Sequence, residues 1–398
     1  MQITLSRSRL AGALFAAAVG AGLSSAFVSS ASAADVRIYG CLVTGLYYAN
    51  FQNGGTQAGV AGKGFTPTDS TVHITGREYL TDNLYAGFNL GPKFTVDDGA
   101  LFQSGKIFNA SRLVIGTKDI EFAFGGVAGL TVVGEPYSSY ARLNANMAQA
   151  QIDGIAPAGI TFQPGDLTNA IAFSTPMRKP GFFVSGLYTN GDASTENENE
   201  WSDVRHVAQL SSGWIGKEVR AGFVYSFEMP GDMPNANGIR AKRHKPTHAL
   251  HLMASWDNGT TGVAGILFAA KDAWRAGPVD DLAVVLGQGD GAAAGTAVKN
   301  ASEHGLDMQA IILTAHRRFG PHDIAPAIGW MRGDWKGVAN AGRDDDGTVL
   351  QGGVMYRYFL SKRTHLYASL SFQDGKDLFK DLQRYNKTLA VSGIEMYF

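Results

Sequence analysis

The last ten residues, Leu389 to Phe398 (LAVSGIEMYF), constrain the fold more than any other stretch. Phe398, Met396, Ile394, Ser392 and Ala390 fall on one face of an extended strand, and Tyr397, Glu395 and Gly393 on the other. An alternating strand that stops on an aromatic terminal residue has nothing to cover it, and in water such an edge is adhesive. In a closed barrel the edge pairs with the first strand and disappears. The expectation is an all-β protein, a transmembrane antiparallel barrel of an outer membrane.

The amino-terminal end agrees. Residues 1–33 read as a secretory signal peptide: Arg7 and Arg9, then the apolar stretch Leu10 to Gly22, then Ala31-Ser32-Ala33 as a cleavage site. The barrel domain is expected over 34–398. Removing Arg7 and Arg9 from 34 basic side chains leaves 32 against 35 acidic ones, a charge near −3 that points away from nucleic acid as a partner. After residue 33 no run of 18 apolar residues suggests a helical span. A mean hydropathy near zero suits strands with one face in lipid and one in water. The single cysteine, Cys41, cannot form an internal disulfide.

Along the chain, alternating segments of about ten residues are separated by short and long connections in turn. Strands are expected at 36–49, 70–80, 84–95, 106–118, 128–138, 166–177, 181–192, 201–212, 217–228, 246–256, 262–274, 304–318, 323–335, 347–360, 364–373 and 387–398, sixteen in all. Ile120 to Phe124 (IEFAF) lengthens either a turn or a strand. Short turns are placed at Thr81-Asp82-Asn83, Arg178-Lys179-Pro180, Ser212-Gly213, Asp257-Asn258-Gly259, Phe319-Gly320-Pro321 and Ser361-Lys362-Arg363. Parity aims Leu350, Val354, Tyr356 and Tyr358 at lipid, with Gln351 and Arg357 inward. Val219, Ala221, Phe223, Tyr225 and Phe227 face out, opposite Glu218 and Arg220; Leu366, Ala368, Leu370 and Phe372 face out, opposite His365 and Tyr367. A polar inner face implies a wet lumen, since sixteen strands enclose more space than side chains fill.

Tyr358 to Tyr367 (YFLSKRTHLY) closely resembles a strand–turn–strand of the trimeric general porins of Gram-negative bacteria. Val36 to Gly40, Gly76 with Glu78 and Leu80, Leu130 to Gly134, Asn169 to Pro176 and Gly393 to Phe398 resemble the same family. The chain departs from the family's usual charges at Val43, Glu135 and Asp166.

The resemblance implies a third loop, 139–165, folded into the lumen to narrow it. Arg142 and Asp153 are its clear charges, Asp166 lies at its exit, and Glu135 precedes it on an inward parity. Facing them are the inward arginines Arg37, Arg77, Arg112, Arg220 and Arg357. Carboxylates opposite arginines set up a transverse field that passes hydrophilic solutes and penalises apolar ones. Glu135, Asp153 and Asp166 are expected to lower the anion preference of that arginine wall.

Other signals are bland. His244, His248 and His251 lack the cysteine or carboxylate cluster of a metal site. Arg343 to Gly347 lacks the ligand spacing of a calcium loop, and Glu196, Glu198 and Glu200 read as a solvated loop tip. Neither a catalytic constellation nor a cofactor motif is evident. The function expected is a water-filled pore for passive diffusion of ions and small hydrophilic solutes, not an enzyme. Its expected surroundings are a homotrimer, outer-membrane lipid and lipopolysaccharide. The alternatives are a barrel protease or lipase, or a plugged structural barrel.

Overall fold

In the computed structural model, residues 35–52, 54–61, 70–94, 96, 110–132, 137–143, 160–175, 180–190, 205–229, 245–273, 304–336, 344–380, 382 and 385–398 are described. The expected leader over 1–33 lies outside them, as do Glu196, Glu198, Glu200, His244 and Arg343.

The first part of the chain forms β1 (Asp35–Phe51), β2 (Gly55–Ala61), β3 (Ser70–Tyr79), β4 (Leu84–Gly91), β5 (Lys93–Phe94), β6 (Ala110–Thr117) and β7 (Glu121–Ala128). A short helix, α1 (Ser139–Leu143), follows. Then come β8 (Asp166–Ser174), β9 (Gly181–Thr189), β10 (His206–Ile215), β11 (Val219–Met229), β12 (Thr247–Asp257) and β13 (Thr261–Ala273). The last five are β14 (Leu306–Phe319), β15 (His322–Trp335), β16 (Asp346–Phe359), β17 (Thr364–Asp377) and β18 (Asn386–Tyr397).

All pairings are antiparallel, and β18 returns to β1 in register from Cys41↔Tyr397 to Phe51↔Lys387. The opposite edge of β1 pairs with β3 from Asp35↔Arg77 to Cys41↔Thr71. β2 folds back on β1, and β5 carries β4 past Pro92 to meet β3. Without these two, sixteen strands among the described residues close into a barrel. Closure satisfies every ladder without leaving an edge, which lipid requires.

The outer face follows the alternation. Leu366, Leu370 and Phe372 are exposed, while His365, Tyr367, Ser369 and Ser371 between them are buried on the inner face. β11 and β16 likewise present the faces expected from parity.

The short turns share a chemical device. Thr81 Oγ1 accepts from the amides of Asn83 and Leu84 at 3.3 and 3.1 Å, and Ser361 Oγ from Arg363 and Thr364 at 3.1 and 3.0 Å. Asn258 Oδ1 accepts from the Thr260 and Thr261 amides, and Gly259 follows with φ of 89°. Such side chains take up turn amides that would otherwise need water, and glycine takes the left-handed position at no steric cost.

Two placements differ from the sequence expectation. The strand set at 128–138 is Glu121–Ala128, with a turn at Thr117–Ile120 before it. Leu130 and Thr131 lie beyond it in a turn and are fully buried. The β7–β8 register shifts between Gly125 and Val127, so a bulge breaks the alternation there. The turn set at Ser212-Gly213 falls instead at 216–218, because β10 runs on to Ile215.

The inner wall also departs from a uniformly polar one. Met253, Ile266, Phe268, Met308, Ile312, Met331 and Val349 face inward and are buried. They form one apolar cluster with Leu130, Tyr140, Leu143, Ile160 and Phe162 of the β7–β8 connection. The described parts of that connection, 129–132, 137–143 and 160–165, therefore pack against one side of the barrel's interior.

Candidate functional site: the inner wall and the loop across it

The β7–β8 connection is held at its base by Gly129 N donating to Gly165 O at 3.0 Å. Leu130 N donates to Gln209 Oε1 at 2.7 Å, and Gln209 Nε2 donates to Ser226 Oγ at 2.7 Å. Ser138 Oγ accepts from the Ala141 amide at 3.2 Å, starting α1. Ser139 Oγ lies 2.7 Å from Ser211 Oγ on β10. At the far end, Arg220 donates to Arg142 O at 3.2 Å and Ser255 Oγ donates to Leu143 O. Two carbonyls left over by the helix are thereby satisfied from the wall.

Packing outweighs these bonds. Burying one large apolar side chain contributes about 1.5–3 kcal/mol, whereas a net hydrogen bond contributes about 0.5–1.5 kcal/mol. Tyr140, Leu143, Ile160 and Phe162 are all fully buried. The loop is seated chiefly by these four, and the polar contacts fix its register.

Arg142 goes into the wall, away from the lumen. It donates to Ser185 Oγ at 2.8 Å and Ser174 Oγ at 2.6 Å, with its guanidinium 5.3 Å from the Phe183 ring centre. Burial lowers its pKa to about 10, which leaves it charged at neutral pH.

Arg37, Arg77 and Arg112 are brought together. They line one cavity of about 530 Å³ on the inner face of β1, β3, β4, β6 and β7. Asp35, Glu121, Tyr39, Tyr79, Tyr85 and Tyr137 also line it. Arg37 holds Asp35 at 2.9 Å through Nε. Arg77 reaches Glu121 at 3.5 Å and lies 4.0 Å from the Tyr85 ring centre. Glu121 accepts from the Tyr85 hydroxyl at 2.6 Å and from the Tyr137 hydroxyl. Tyr137 belongs to the loop, so Glu121 ties loop to wall. Burial, with Glu121 beside it, raises the Tyr137 phenol, which stays a neutral donor. Arg112 is buried, 5.3 Å from the Tyr137 ring centre.

The remaining sequence-predicted residues are elsewhere. Arg220 is at the helix end, as above. Arg357 is buried near Glu395 at the seam of the barrel, close enough to act on it electrostatically. Glu395 there meets His365 Nε2 at 2.5 Å, the Tyr397 hydroxyl at 2.6 Å and Cys41 Sγ at 3.6 Å. Asp166 opens β8 opposite Ala128. Glu135 and Asp153 lie outside the described residues. Glu121, Tyr85 and Tyr137 were not singled out from the sequence. The parity of IEFAF would have found Glu121: Phe122 and Phe124 are exposed on the outer face, which turns Glu121 inward.

His248 and His251 alternate on β12. His248 points outward, 2.6 Å from the Tyr225 hydroxyl, and His251 is buried between the rings of Tyr140 and Phe268. Among the described residues no three His, Cys, Asp or Glu side chains could hold a metal ion.

A closed sixteen-stranded barrel with a loop seated in its interior and charged groups along the facing wall defines a transmembrane pore protein. The profile of the Gram-negative porins matches residues 13–378, and the chain belongs to that family. The fold is shared with the anion-selective porin of Comamonas acidovorans, at 18% identity and a TM-score of 0.63, covering 92% of this chain and 100% of that one. It is also shared with OmpF of Salmonella typhi, solved with daunomycin, at 11% identity and TM-score 0.58, covering 91% and 97%. The trimer form of OmpT, an outer membrane protein of Vibrio cholerae, matches at 14% identity and TM-score 0.56, covering 92% and 100%. No curated protein sequence matches the chain. The protein is an outer-membrane porin, a channel-forming barrel.

Proposed function

We propose that this porin is a passive, non-enzymatic channel for ions and small hydrophilic solutes, working as a homotrimer set in lipid and lipopolysaccharide and exported by a leader cleaved after residue 33. The observation that carries the reading is the cavity in which Arg37, Arg77 and Arg112 lie beside Asp35 and Glu121 on the inner wall. Fixed charges of both signs beside water penalise apolar solutes and pass hydrated ones. Glu135, Asp153 and Asp166 add negative charge around the loop, and with Glu121 they offset the arginines, so that anion preference stays weak. Strand lengths support a trimer. β7, β8 and β9 are 8, 9 and 9 residues long, at the short end of what crosses a bilayer, while β14 to β17 have 14 each. A short wall suits contact with a neighbouring barrel better than contact with lipid.

The decisive experiment is planar-bilayer conductance of the refolded protein, with reversal potentials in a salt gradient. Steps closing in threes support the trimer, and weak ion selectivity that shifts toward anions in Glu135→Gln supports the charge assignment. Strong anion selectivity that Glu135→Gln leaves unmoved would refute that assignment. Liposome swelling with sugars of graded size separates a pore from an enzyme or a plugged barrel.

A further inference from the structure

Polar channel walls need no exposed aromatic rings, yet the cavity on the β1–β7 wall has them. Tyr39 and Tyr79 are on the inward parity of β1 and β3, and they remain 41% and 52% exposed. Lipid does not account for rings on this face. Each is held in place: Tyr39 is stacked on His73 with ring centres 5.1 Å apart, and Tyr79 meets Tyr85 edge-on at 6.0 Å. His73 is in turn fixed to Asn89 Oδ1 at 3.2 Å. Beside them the side chains of Arg37 and Arg77 are 70% and 45% exposed. Three guanidiniums against the two carboxylates of Asp35 and Glu121 leave the cavity with one net positive charge.

We propose that this cavity is a dwell site for small aromatic monocarboxylates, whose ring stacks on Tyr39 or Tyr79 while the carboxylate engages Arg37 or Arg77. This rests on the channel reading and names the solute class that the channel favours. The chemistry matches part by part. A guanidinium fork suits a carboxylate, and a fixed aromatic face suits a planar ring. A volume of about 530 Å³ admits a single-ring solute with its water. Glu121 contributes specificity by repulsion: a second carboxylate on the solute would approach it, so dicarboxylates are disfavoured.

The test is current through the purified full-length protein in planar bilayers with benzoate, cyclohexanecarboxylate, acetate or phthalate replacing chloride. Benzoate current is expected to saturate at a concentration about fivefold below that for cyclohexanecarboxylate, a ratio set by one stacking contact. Acetate and phthalate are expected to saturate later still. Replacing both rings, Tyr39→Leu with Tyr79→Leu, should bring the benzoate ratio to about one. Tyr79→Phe should keep it, because the ring remains. Arg77→Gln should weaken benzoate and cyclohexanecarboxylate alike. Equal saturation of the two ring acids in the unsubstituted protein would overturn the proposal, as would a benzoate preference that survives loss of both rings. The unsubstituted comparison decides the matter if the double variant does not refold. Potassium chloride conductance separates the levels: a conducting protein without benzoate saturation overturns this proposal alone, and a silent one overturns the channel reading with it.

Discussion

At Glu121 one carboxylate accepts from two phenols, on β4 and on the loop, and lies 3.5 Å from the Arg77 guanidinium. Replacing it with glutamine keeps the shape and one acceptor and removes the charge. Glu121→Gln is expected to shift the reversal potential in a salt gradient toward chloride, because the cavity then holds three cations against Asp35 alone; an unchanged potential would place Glu121 off the ion path. Arg142 has a different task. Its contacts to Ser174 and Ser185 lock α1 to β8 and β9. Arg142→Ala leaves a void beside Phe183 and two hydroxyls without their donor, a cost of about 2–4 kcal/mol. The expected readout is a noisier open-channel current with the barrel still intact. Strand parity was enough to place Arg37, Arg77 and Arg112 on the inner face. It was not enough for Arg142, because a single turn of helix aims that side chain back at the wall, and one-turn helices leave no periodic trace in a sequence.

Strands and turns were legible where the two faces meet different solvents. β16, β17 and β18 show this best, with aliphatic and aromatic residues outside and Gln351, His365 and Glu395 inside. The reading failed where the interior is itself apolar. Leu130 resembled part of a spanning strand because it is hydrophobic, but it is hydrophobic in order to sit among Leu143, Ile160 and Phe162. Periodicity reports contact with something apolar and does not distinguish lipid from a packed loop. Gly125 and Gly126 then obscured β7, since a bulge interrupts the alternation there. At the seam, Gly45 and Gly393 are paired across β1 and β18. A Cβ at 393 would lie 2.0 Å from Thr44 O and 2.7 Å from the Tyr367 hydroxyl. Gly393→Val is expected to prevent closure, seen as loss of the compact, heat-modifiable species in electrophoresis. Gly259→Ala at a solvent-facing turn, with nothing within 4 Å of its Cβ, should keep that species and lower its stability by about 1 kcal/mol through the positive φ.

Across the whole molecule the barrel is lopsided. β13 to β17 are 13 or 14 residues long, while β7 to β9 are 8 or 9; the apolar inner cluster draws on both groups, from Val127 and Phe183 to Ile312 and Val349. Long ladders open less often than short ones, since more hydrogen bonds must break together. Amide exchange in detergent is therefore expected to be slowest from β13 to β17 and to begin at β7 to β9; uniform protection around the ring would contradict this. Trimer contact over the short side would slow exchange there, so monomeric and trimeric preparations should differ in β7 to β9 and agree in β14 to β17. The seam has a consequence for biogenesis. Gly40 and Phe398 exchange backbone hydrogen bonds, at 3.2 and 3.1 Å, so β1 and β18, far apart along the chain, complete one another. Neither strand has its full set of ladder partners until the other is in place, so the barrel cannot be completed one segment at a time. Closure at this joint is therefore all-or-none: a sheet lacking either partner would hold open strand edges in hydrocarbon.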